Sequence, residues 1–444
     1  MRSTTLPMLA LVLFALPALA GPSLTLYSTD LGLVKESRRV TWHGGRDTLR
    51  LEGVSSRLDA TSLRLVPGTG RLARLAYRWD VASGEALLER AVGQRVRLVS
   101  RNERVTEGVL LSADGAWLVV RTDDGALVNL AREAMQEVRL ARPESGLSLR
   151  PAIEAVVVDA KAGAGEAQLQ YLTGGLSWSA EHTLVRTGET TATWAAVVQV
   201  QNTTGRSYED ARVKLLAGDV SRVSANEMMP KAMMMRVSAA MEDAPGEAPA
   251  QQSFADYHLY TLPGTVTLRD RESQTLVLLE PRAITVTPRY VVRAGEGGVR
   301  SKLEFVNSAK LGTGAPLPAG RVRCYAPDAD ADLQLTGETN VGHTAVDEKV
   351  TLELGTAFYI AAERKTLRDQ RVSDREREFS VEIRLRNRKS VAATIVVEEP
   401  MSGDVEVLKS THPAQRDEAN LLRFTVAVPA GQEVVVGYTA RQRW

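Results

Sequence analysis

Phe379-Ser-Val381-Glu-Ile383-Arg-Leu385-Arg-Asn387 is the stretch that decides the fold. Apolar side chains at every second position alternate with Ser, Glu and Arg, a period that an extended strand splits into one dry face and one wet face. The expectation is a half-buried antiparallel strand. The same alternation runs through Trp194, Ala196, Val198 and Val200, and through Leu303 and Phe305 between Lys302 and Glu304. Each stretch ends on Asn: Asn202, Asn307 and Asn387. Asn tolerates left-handed backbone and closes turns through its own side chain, so the recurrence needs no ligand to explain it. The unequal intervals predict related sandwich-like β units and not a solenoid. The predicted class is all-β, with several β-sandwich-like units.

The chain has 444 residues, too many for one ordinary domain. Its 55 basic and 54 acidic residues leave a net charge of +1, so electrostatics offers no reason for a nucleic-acid partner. Residues 1–20 read as a secretory signal peptide: Arg2, an apolar run from Leu6 to Leu16, Pro17, then Ala18-Leu-Ala20 before Gly21. That run falls short of the ~20 residues a bilayer requires, so the mature chain is expected to be exported, periplasmic or extracellular, without an integral membrane segment. Cys324 is the only cysteine, which excludes an internal disulfide. Alternation puts it on the same face as Val322, as a buried and inert thiol.

Working outward, the chain divides into an N-terminal β region at 21–84, a distinct segment at 85–141 and a β-sandwich region at 151–444. In the middle segment a short helical stretch, Ala86 to Arg90, precedes five short strands at Val96 to Val99, Val105 to Leu111, Trp117 to Val120, Ala126 to Leu130 and Val138 to Leu140. Asp114-Gly115 and Asp124-Gly125 supply hairpin turns. One helix and five strands resemble a small inserted Sm-like five-stranded barrel. Nine acidic against eight basic side chains remove the basic footprint that RNA binding needs. From 224 to 253 the pattern gives way to Met, Ala, Pro, Glu and Gln, a flexible insertion carrying Met228, Met229, Met233, Met234, Met235 and Met241. Clustered thioethers suit copper(I), but a biased tether between strands is the reading adopted, with no metal or cofactor assigned.

No catalytic motif is present: no zinc helix, nucleophile elbow, phosphate loop or dinucleotide fingerprint. Asp328-Ala-Asp330-Ala-Asp332 has alternate carboxylates but departs from the calcium-loop template at Leu333 and Thr339, and reads as a solvated hairpin tip. The histidines, His43, His182, His258, His343 and His412, are scattered. His343 near Asp347 with a distant Ser is the sort of triple that a long chain offers by chance. No catalytic, cofactor or metal residue is assigned.

Tyr171-Leu-Thr-Gly-Gly-Leu-Ser-Trp178-Ser-Ala-Glu-His182, His258-Leu-Tyr260-Thr-Leu-Pro263, Leu317-Pro-Ala-Gly320-Arg-Val-Arg-Cys-Tyr325 and the Asn387 strand pair together resemble one bacterial family. It is the domain of unknown function shared with the C-terminal part of mucoidy-inhibitor-A-like envelope proteins. The resemblance covers about 151 to 444 and implies a bacterial envelope location. His182 stands where the family pattern has an aromatic residue, which reads as a neutral swap at a sheet edge. The reading that follows is an exported, non-enzymatic protein that binds or scaffolds through sandwich surfaces, with an envelope protein or glycan as partner. The alternative is a hydrolase acting on envelope polysaccharide.

Overall fold

The computed structural model describes residues 21–79, 83–140, 148–218, 220, 250–254, 257–416 and 421–443. Residues 1–20, expected to be a signal peptide, and most of the Met-rich stretch lie outside them. The strand Ala250–Phe254 pairs with Tyr257–Thr261, so the loop expected to run to Ser253 gives way to strand at 250.

The described chain is almost entirely β. An eight-stranded sheet is built around the strand Ser23–Tyr27, which pairs antiparallel with Gly32–Trp42 and parallel with Tyr208–Ala217. It packs on a three-stranded sheet and on one half of a five-stranded sheet, enclosing a core that holds Trp42, Tyr171, Trp178, Tyr208 and Tyr260. The boundary drawn between 84 and 151 therefore runs through shared sheets, because Gly32–Trp42 pairs along its whole length with Gly163–Thr173. The other half of the five-stranded sheet covers a second core, where Leu184, Trp194, Val322 and Cys324 meet Leu303, Phe305 and Leu352 of a six-stranded sheet. The remainder of that sheet closes a third core against a four-stranded sheet containing Phe379, Val381, Ile383 and Leu385. Three sandwiches thus stand in series, each sharing a sheet with the next.

A repeat underlies this series. Among the described residues each unit has one parallel strand pair: Ser23–Tyr27 with Tyr208–Ala217, Leu176–Arg186 with Gly320–Pro327, and Thr287–Arg293 with Ala393–Pro400. In each unit the second member of the pair is the strand that follows the Asn. The three asparagines are buried and none has left-handed backbone, so that part of the expectation is corrected. Each amide instead ties two pieces of backbone together. Asn202 Nδ2 donates to Arg206 O at 2.9 Å and Leu268 O at 3.0 Å. Asn307 donates to Ala315 O at 2.8 Å and Ala345 O at 3.1 Å, and Asn387 to Val391 O at 2.8 Å and Val428 O at 3.0 Å. Their Oδ1 atoms accept from the amides of Thr204, Thr313 and Lys389 respectively. A buried amide that satisfies carbonyls in a loop and on a neighbouring element fixes where the chain crosses between sheets.

The segment from 83 to 140 emerges from the end of a strand pair. Arg71–Arg78 and Ala152–Ala160 are antiparallel neighbours with Arg78 opposite Ala152, and the segment leaves and rejoins the body there. Ser83 caps the helix Gly84–Arg90, and five strands follow in spatial order five-one-two-three-four. The sheet is open, and no ladder joins Leu127–Ala131 to Met135–Leu140, so the small barrel is not closed. Those two edge strands are nevertheless linked by the short turn Arg132–Ala134. Flat, the edges would stand ~19 Å apart, whereas that link spans at most ~14 Å, so the sheet must curl.

Candidate functional site

The residues singled out from sequence are brought into structural roles. Trp178 and Trp194 point inward as their alternation requires. Gly175 has φ +84°, and its amide donates to Asp30 Oδ1 at 2.6 Å, closing the turn before Trp178. Gly320 starts a strand so close to Ala180 that a Cβ would lie 2.4 Å from the Ala180 carbonyl oxygen. Cys324 is buried, and burial pushes its thiol up to about 12. Asp328 accepts from the amides of Asp330 and Asp332 and from Gln334, which accounts for the aspartate cluster as a hairpin tip. His343 Nδ1 accepts the Ala319 amide at 3.1 Å, so the nitrogen that a triad would aim at Asp347 is already taken. Among the described residues, no group of three or more His, Cys, Asp or Glu side chains is placed to hold a metal.

His182 corrects the sequence reading. It is 1% exposed, its ring in tilted contact with Trp194 at 5.2 Å, with Nε2 3.0 Å from Pro318 O. Burial lowers its pKa to about 4, so the ring is neutral and donates from Nε2. It is an aromatic core residue and not an edge substitution.

Two buried carboxylates are not among the residues singled out from sequence. Glu36 receives a fork from Arg206, at 3.0 Å from Nη1 and 3.1 Å from Nη2, with Arg38 Nη2 also at 3.0 Å. Burial alone would lower the Arg206 pKa, but Tyr171 and Glu36 beside it reverse this and hold it above its ordinary value. Glu399, 2% exposed, accepts from Arg364 Nε at 2.9 Å and Nη2 at 3.0 Å and from the Tyr438 hydroxyl at 2.8 Å. The signal was legible, since Glu399 continues the inward series Ala393, Ile395, Val397. Both carboxylates are held by several donors, which makes them structural ties between elements.

On the outer face of the six-stranded sheet lies a groove of about 410 Å³. Its two carboxylates are paired, Glu304 with Lys349 at 2.9 Å and Glu398 with Arg423 at 3.1 Å, while Arg289 lies 3.6 Å from Glu304 and Lys302 reaches Glu353 at 2.6 Å. In the adjoining hollow, the hydrogen bond from Lys302 holds the Glu353 carboxyl below its usual range, the reverse of what a glycosidase general acid needs.

The junction of the second and third sandwiches differs. A cleft of about 200 Å³ is lined by Arg186, Tyr290, Ser301, Thr336, Phe358 and Lys389, among others. At its mouth Phe358 is 90% exposed and Tyr359 59%, their rings in edge contact at 5.1 Å. The backbone there is fixed, because Arg388 N donates to Tyr359 O at 2.8 Å. Lys389 Nζ donates to the Tyr290 hydroxyl at 3.0 Å, and Arg186 Nη2 donates to Glu189 O at 3.2 Å while its buried Nε has no hydrogen-bond partner among the described residues. A Phe held in water forgoes the ~1.5–3 kcal/mol that burial would yield. Two adjacent aromatics cannot both face one core from a strand, which was the available sequence signal.

Fold and site together define a tandem β-sandwich protein with a preformed surface cleft. Residues 167–444 match the family described as domain of unknown function (DUF4139), and the chain belongs to that family. No curated protein matches the chain. Among the described residues, no helix is long and apolar enough to cross a membrane.

Proposed function

We propose that this is an exported bacterial envelope protein that works by binding, with the junction cleft as its contact site. The observation that carries the reading is the exposed Phe358–Tyr359 pair on fixed backbone beside two cations. Rigid aromatics at low entropic cost are what binding surfaces use as anchors. Export rests on the leader-like residues 1–20. Cleavage after Ala20 would leave the strand Ser23–Tyr27 whole, with Gly21 seated where a Cβ would come within 2.0 Å of Asp210 O. The resemblance to mucoidy-inhibitor-A-like envelope proteins supports the same compartment. A photo-crosslinking residue at position 358 in the native cell is the test. Capture of an envelope component from 358, and not from exposed Leu408 on another face, supports the reading. Equal capture from both positions, or an unprocessed protein beginning at Met1, overturns it.

A further inference from the structure

Each cation of the outer groove lies within salt-bridge distance of a carboxylate and the groove's lining is aliphatic and polar, whereas the junction cleft sets two cations beside an unburied aromatic face. Arg186 and Lys389 share one partially exposed carboxylate, Glu189, at 3.6 Å and 3.5 Å. Both distances are long for charge-assisted hydrogen bonds, so Glu189 is a loosely held counter-ion that a better-placed carboxylate can displace. Glu189 does not itself line the cleft, and its pairing shows that a single carboxylate can meet both cations.

The other walls narrow the ligand further. Ser301, Thr336 and Thr356 line the cleft with hydroxyls, which suits a ligand bearing several hydroxyls of its own. Phe358 offers a flat apolar face, and the two cations that line the cleft disfavour a positively charged occupant. The volume of about 200 Å³ corresponds to about seven water volumes at ~30 Å³ each, enough for one sugar ring. An apolar face, hydroxyls around the rim and a carboxylate coexist in an acidic sugar.

We infer that the cleft binds one carboxylate-bearing sugar ring of an acidic saccharide, stacked on Phe358 with its carboxylate against Arg186 and Lys389. This rests on the binding reading above and adds the ligand class.

The experiment titrates the full exported chain by calorimetry with an oligogalacturonate and with its methyl-esterified, uncharged counterpart. The acidic oligomer should bind at least tenfold more tightly than the ester, and more weakly as salt rises. Phe358→Ala should lower that affinity tenfold or more. Because the side chain is exposed, this variant should fold normally. Glu189→Gln should raise affinity several-fold by removing the internal competitor, an outcome that a merely structural role for the ion pairs would not produce. Equal binding of the two oligomers, or binding indifferent to Phe358→Ala, overturns the inference. If neither oligomer binds while position 358 still crosslinks to an envelope protein, the sugar assignment falls and the binding reading stands. If neither happens, both fall.

Discussion

The sandwich body and the inserted module are both made of antiparallel strands, yet they bury different things. The body puts Trp42, Trp178, Trp194, Tyr171 and Tyr208 inside and knots its crossings with buried asparagines and carboxylates. The module's core is aliphatic, with Leu88, Val96, Leu98, Leu110, Leu118 and Val120, while its Trp117 stands 46% exposed. The difference lies in how each part secures one arrangement. Three sandwiches that share sheets could slide or re-register at every crossing, and directional polar ties remove those alternatives. A helix and a five-stranded sheet joined by tight turns have few crossings to specify.

The sharpest way to break this contrast is to truncate one Trp in each part. Trp194→Ala should cost ~3–5 kcal/mol in a denaturant melt, through lost burial and a cavity. Trp117→Ala should stay within about 0.5 kcal/mol, as exposed substitutions do. Equal losses would mean that Trp117 is packed as firmly as Trp194 and that the contrast is false.

Next in size is the acid response of His182. Its folded pKa of about 4 lies below the ordinary 6.5, so the unfolded chain takes up the proton first. The stability it contributes is whole above about pH 6.5 and drains away as pH falls toward 4, amounting to ~3 kcal/mol at most. Melts of the body across that window should show the slope, and His182→Phe should flatten it. The module contains no histidine, so its own unfolding should not share the slope.

Asn387→Ala should come third, at about 2 kcal/mol, because it strands the Val391 and Val428 carbonyls and the Lys389 amide. A loss below 0.5 kcal/mol would show that water replaces the amide and that the ties are dispensable. The smallest effect should come from replacing residues 80–147 by a short Gly-Ser turn between the paired ends Arg78 and Ala152. The body's denaturation midpoint should barely move, since the strand pair from which the module emerges is already closed.

The alternation made the strands legible. Phe379 to Leu385 and Trp194 to Val200 face their cores as period two requires, and the five module strands fall where turn signals bracket them. The order of strands was not legible, because parallel pairing of Ser23–Tyr27 with a strand near 212 depends on contacts far apart in sequence. His182 was misread for a related reason: its burial comes from Trp194 and Pro318, on other elements. Glu36 and Glu399 could have been found, since each interrupts an inward apolar series. The cleft could not, because Arg186, Phe358 and Lys389 converge only once two sandwiches share a sheet.

The first and last strands described, Ser23–Tyr27 and Glu433–Arg443, are both interior: each has a hydrogen-bonded neighbour on both sides. A tension drawn along either strand meets its ladder bonds side by side and loads them together, whereas an edge strand peeled from its end yields one bond at a time. Shared sheets then pass the load from one sandwich to the next without a linker between them.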